Sequence, residues 1–254
     1  MIPEIPWTFT LTTVAAALII PVAVWQIVSR GAGRAGLAPA ARRRVGVGTA
    51  LFLGGWALLT LLLAPPASSL AGQDPYTLTL LIPAFAAGGI GLALALIGVS
   101  PALRRSLDEA SLPALVGVQI YRVLGREFVI LTGLGQLPAR FGLPAGWGDV
   151  AIGLAAPVVA LALVRGTRHA RTLGIGWNVL GLLDLVVAVG MATSLFPLLA
   201  GERLHAAAAM GVYPLILVPT FGVPVAVLLH LVALRRLRRS PRPVAGAAPD
   251  LALT

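Results

Sequence analysis

QIYRVLGREFVILTGLGQLPARFGLPAGWGDVAIG, residues 119–153, decides how this chain folds. Its first half is as apolar as a membrane span, yet it carries Arg122, Arg126 and Glu127. Its middle is rich in Pro and Gly, and Asp149 opens the next apolar run. An ionisable side chain at membrane depth costs free energy and is kept where it faces the protein interior and finds a partner. The stretch therefore predicts two membrane helices joined by a tight turn, with a polar seam between them.

The rest of the sequence supports that setting. Of 254 residues, 58% are hydrophobic and 11% are charged, against about 25% charged in soluble domains. Mean hydropathy is +0.93. The formal net charge of +10 does not indicate nucleic acid. All the basic residues are Arg, and most lie in short loops between apolar runs, the pattern that sets membrane orientation. The missing Lys excludes a retinal or pyridoxal Schiff base. The missing Cys excludes disulfides, thiolate metal sites and palmitoylation. The N-terminal MIPEIPWTFT has no basic residue before its apolar run and reads as a retained first helix rather than a signal peptide.

A span needs about 20 apolar residues. Seven runs satisfy this, at about 8–28, 45–64, 77–99, 113–134, 148–164, 172–196 and 210–234. The expected fold is therefore all-α: a polytopic transmembrane bundle of seven helices over residues 1–240, with 241–254 a disordered cytoplasmic tail. Fifteen of the Arg residues fall in the loops after spans one, three and five and in the tail, against Arg140 and Arg203 on the other side. That asymmetry predicts an outside N-terminus and a cytoplasmic C-terminus in a cell membrane. Ser100 and Pro101 predict the cap and first residue of a short surface helix. Pro214, Pro219 and Pro224 predict a kinked last span.

At about 1.5 Å per residue, depths along the spans arrange the polar residues in layers. Arg126, Glu127 and Asp149 fall in the outer layer, Arg122 and Asp184 in the middle, and Asn178, His230 and Gln26 towards the cytoplasm. Gln119, Arg122 and Arg126 share one face of an α-helix and are expected to point inward. Asp149, behind the turn RFGLPAGWGD (140–149), is expected to cap its helix. These charges read either as a network that fixes helix neighbours or as a site for a solute or ion. The candidate ligand or ion residues are Arg122, Arg126, Glu127, Asp149, Asn178, Asp184 and His230. No catalytic residue, cofactor or metal is assigned: there is no GxSxG elbow, and His169 and His205 lie in loops on opposite sides, away from His230. The expected partners are membrane lipid and a small polar solute.

PAGWGD (144–149), WNVLGLLDL (177–185) and PTFGVPVAVLLHLVAL (219–234) resemble a family of uncharacterised bacterial polytopic membrane proteins. The resemblance covers roughly spans four to seven and implies a shared set of polar positions without an activity. On the residues alone, a membrane protein that binds or moves a small polar or anionic solute leads. A sensor or accessory subunit with a structural charge network follows, and then a membrane enzyme acting on lipid.

Overall fold

A computed structural model describes residues 5–193 and 203–239. All regular secondary structure among the described residues is helical, with no strand. Among the described residues, six helical stretches are long and apolar enough to cross a membrane: Trp7–Arg34, Pro39–Gln73, Tyr76–Val99, Ala139–Arg165, Ala170–Ala192 and Val218–Arg239. Large apolar side chains such as Leu18, Leu62, Leu92 and Val158 point outward, as they do where the surrounding solvent is lipid. The chain is thus an all-α, multi-pass membrane protein. The tail expected at 241–254 lies outside the described residues.

The first three helices are α1 (Trp7–Arg34), α2 (Pro39–Gln73) and α3 (Pro75–Val99). Residues 65–73 were expected in a loop, but α2 runs on through Pro65 and Pro66. Packing outweighs the two missing N–H donors. Ala64, Ala67 and Ala71 form a small-residue strip that is buried in one core with Ala206–Ala209 and Met210 of α9 (Arg203–Gly211). The expected surface helix is α4 (Pro101–Asp108), with the Ser100 hydroxyl accepting from the Leu103 N–H at 3.2 Å.

The expected fourth span is broken into three consecutive pieces: α5 (Leu112–Gly117), a 3₁₀ helix (Val118–Gly125) and α6 (Arg126–Gly133). It lies antiparallel beside α7 (Ala139–Arg165) along its whole length. Gly117 faces Ala160, Gly125 faces Asp149, and Gly142 faces Thr132. Here the structure corrects the expected turn. The connection is only Leu134–Pro138, around Gly135 at φ +70°, and PAGWGD lies inside α7. Its glycines make helix contacts rather than a turn. A Cβ on Gly146 would meet the Gly125 carbonyl, and one on Gly153 would meet the Val123 backbone. Small residues of this kind let membrane helices approach closely. Asp149 is accordingly ten residues inside the helix and is not its cap.

The last elements are α8 (Ala170–Ala192), α9, a π-helical turn (Val218–Gly222) and α10 (Val223–Arg239). The seventh run was expected to start at 210; the long helix starts at Val218. Pro219 and Pro224 cannot donate backbone hydrogen bonds. The helix takes up the defect as a π turn, closed by the Val223 N–H to the Val218 carbonyl.

Candidate functional site

The 3₁₀ helix sets the geometry of the site. Its period is about three residues, not about 3.6, so the positions stacked on one face are Gln119, Arg122 and Gly125, and all three are buried. Arg126, expected on that face, is turned outward and exposed. Gln26, expected in the inner layer, is also exposed. Neither joins the seam.

Arg122, only 3% exposed, is the hub. Its Nε donates to Asp149 Oδ1 of α7 at 2.6 Å, and its Nη2 donates to Asp184 Oδ2 of α8. Nη1 donates to His230 Nε2 of α10 at 3.1 Å and to the Gly181 carbonyl at 3.4 Å. One side chain therefore ties the broken helix to α7, α8 and α10. Two glycines make room for it. A Cβ on Gly148 would occupy the Asp184 carboxylate, and one on Gly181 would occupy the His230 ring.

The hydrogen bonds also fix the histidine tautomer. A guanidinium only donates, so His230 Nε2 must accept and the ring proton sits on Nδ1. Nδ1–H then donates to Asn178 Oδ1 at 2.9 Å, and Asn178 Nδ2 donates to the Gly174 carbonyl at 2.7 Å. His230 and Asn178 are fully buried. The Trp177 ring lies 5.0 Å from the imidazole and is itself held by Nε1–H to the Ile152 carbonyl at 3.1 Å.

Glu127, 4% exposed, belongs to a separate contact. Its carboxylate accepts from the hydroxyls of Thr12 and Thr13 on α1, the latter at 3.2 Å. A cavity of about 70 Å³ joins this contact to the hub: Thr13, Arg122, Glu127 and Asp149 all line it. Such a space takes a few waters or one small solute. Leu217, Val218 and Phe221–Val223 of the π-turn region and Tyr121 of the 3₁₀ helix are among its other walls. The Tyr121 hydroxyl donates to the Gly222 carbonyl at 3.0 Å, so the two irregular segments are joined directly.

Of the seven candidates, then, Arg122, Asp149, Asp184, His230 and Asn178 form one hydrogen-bonded chain. Glu127 shares the cavity with that chain, and Arg126 stays apart. Sequence reasoning missed Thr12, Thr13, Tyr121 and Trp177. The adjacent hydroxyls of TLTT (10–13) in an apolar run were the available signal for the first two.

A helical bundle with a buried polar cluster defines the class: a multi-pass integral membrane protein. The chain belongs to a family described as a domain of unknown function, DUF8737, which matches residues 78–238. The match includes every member of the Arg122 chain as well as Glu127, whereas Thr12 and Thr13 lie outside it. Comparison with curated proteins gave no match, and neither did comparison with solved structures.

Proposed function

We propose that the protein crosses the cell membrane seven times, with its N-terminus outside and its C-terminus in the cytoplasm, and that it binds or passes a small polar or cationic solute at the Arg122–Asp149–Glu127 cavity. The seventh crossing is the broken helix 112–133. Support comes from its antiparallel run beside α7, which spans the same depth, and from its length of about 37 Å at α and 3₁₀ rises. The orientation rests on the Arg distribution. The chain has no Cys, so labelling of single Glu109→Cys and Leu134→Cys variants with a membrane-impermeant maleimide tests it. The two sites react from opposite sides if the broken helix crosses, and from the same side if it does not.

One observation carries the functional reading: the two non-α helical segments among the described residues, 118–125 and 218–222, wall the same charged cavity. Irregular backbone at membrane depth is tolerated where it lines a cavity or is buried in protein, and it recurs at substrate and ion sites. The charge balance selects the solute. Arg122 faces two carboxylates, and Glu127 adds a third acidic group to the cavity wall. An anion would meet an arginine already occupied by Asp149 and Asp184, whereas a proton or a small cation would relieve the excess negative charge, and a neutral polar molecule could hydrogen-bond to the carboxylates without adding to it. The test is thermal unfolding of the purified protein against Na⁺, K⁺, ammonium, guanidinium and small neutral polyols. A saturable rise for one of these, absent in Glu127→Gln and Asp149→Asn, is expected. No response to any of them, or an equal response in both variants, contradicts the reading.

A second reading has its own support. Four of the five guanidinium N–H groups have protein acceptors, as in a clasp that only fixes helix neighbours. In that case the variants change stability and no solute responds.

A further inference from the structure

A second chamber, of about 460 Å³, lies between α1, α2, α3, α4, α5 and α10, away from the charged cluster. It falls within the roughly 300–1,000 Å³ of cavities that bury most of a ligand. Its walls are apolar and include Val28, Leu53, Leu115 and Leu229. Along α2 the lining runs from Ala41 to Leu53, about 18 Å of helix. Arg44 is the one charged residue that lines it among the described residues, and it stands in the basic first turns of α2 beside Arg42 and Arg43.

Helix α4 forms the lid. Leu103 and Leu107, four residues apart, face the chamber, while Arg104 and Arg105 are exposed. The lid is latched to the end of α10. Asp108 Oδ2 accepts from Arg235 at 2.9 Å and from Arg239 at 2.8 Å, and Arg236 donates to the Asp108 carbonyl. It also sits hard against α1, where a Cβ on Gly31 would strike the Ser106 carbonyl.

We propose that this chamber holds an acyl chain of one anionic phospholipid, with the phosphate on Arg44 and the chain running inward to Leu53. The shape is that of an amphiphile site: apolar for its depth, with its charged residue at the end of a membrane helix, where headgroups lie. A basic rim selects an anionic head, because an Arg near the membrane surface attracts anionic lipid. The occupant is a membrane lipid rather than a protein segment because the walls are apolar and the single lining charge among the described residues is a cation, the complement of an acyl chain with an anionic head.

The full chain is reconstituted in nanodiscs with equal phosphatidylglycerol and phosphatidylcholine, extracted in mild detergent, and weighed intact by native mass spectrometry. One retained phospholipid per chain is expected, with the anionic species preferred about fivefold, the scale of one surface Arg. Arg44→Gln removes the preference and Arg44→Lys keeps it. Arg43→Gln, outside the lining, leaves it unchanged. Gly48→Leu lowers retention itself, because Gly48 lines the chamber and a Cβ there meets nothing within 4 Å. Equal retention of both lipids by the unaltered protein overturns the proposal. So does an equal effect of Arg43→Gln and Arg44→Gln, which would mark bulk surface charge. Full retention in Gly48→Leu places the lipid elsewhere and overturns it too.

Discussion

Arg122→Gln and Asp184→Asn remove opposite ends of the same ion pair, and the structure predicts unequal costs. Arg122 is the cation against both Asp149 and Asp184, whose side chains are 16% and 17% exposed. Replacing the arginine leaves two mostly buried carboxylates without it. Removing one partner from a buried charge pair costs about 3–5 kcal/mol. Replacing Asp184 leaves Arg122 paired with Asp149, takes the hub from one excess negative charge to none, and keeps an amide oxygen where the carboxylate was. The loss is then the charge-assisted share of one hydrogen bond, about 1 kcal/mol. Hydrogen bonds between membrane helices average about 0.6 kcal/mol, so a loss above 3 kcal/mol for Arg122→Gln must come from uncompensated charge. Reversible unfolding in mixed micelles of increasing dodecyl sulfate fraction, followed by Trp fluorescence, gives both values. Equal losses, or a loss under 1 kcal/mol for Arg122→Gln, would refute the view that Arg122 balances the cluster.

Three further outcomes follow from the same geometry. Gly181→Ala destabilises by roughly 1–3 kcal/mol, the range for overpacking, because its Cβ would enter the His230 ring. Gly176→Ala on the same helix meets nothing within 4 Å and leaves the same unfolding midpoint within error or slightly higher. The double variant Thr12→Val with Thr13→Val takes both hydroxyls from Glu127 and lowers stability by roughly 1–3 kcal/mol; Glu127→Gln added to it recovers part of that loss, and no recovery would show that the threonines do not serve the carboxylate. Nitrogen NMR of histidine-labelled protein shows His230 protonated on Nδ1 and bare on Nε2, and the opposite tautomer would break the Arg122–His230–Asn178 chain.

Much of this was readable from residues, and the reasons it stopped are specific. Runs of about 20 apolar residues announce membrane helices because lipid leaves the backbone few alternatives. Depth counted along those runs brought Arg122 near Asp184 and Asn178 near His230. Pro and Gly, read as turn formers, set the boundaries wrongly at 65–73 and 140–149. In 65–73 a strip of alanines packs on α9, and in 140–149 the glycines receive another helix, so packing outweighed local preference. Arg126 was misplaced because a local sequence does not announce a 3₁₀ period: the inward face steps from Arg122 to Gly125. The partner of Glu127 lies more than a hundred residues away on α1, beyond any spacing argument.

On the proposed reading, the cavity between Thr13, Glu127, Asp149 and the π-turn is an occupied polar site and not a seam sealed by its own side chains. A cryo-electron microscopy map of the protein in nanodiscs, sharp enough to show ordered water, decides between the two. Density for water or a small solute touching Glu127 and Asp149 is the predicted result. A dry, closed cavity, with the Glu127 carboxylate turned away from it, would contradict the account.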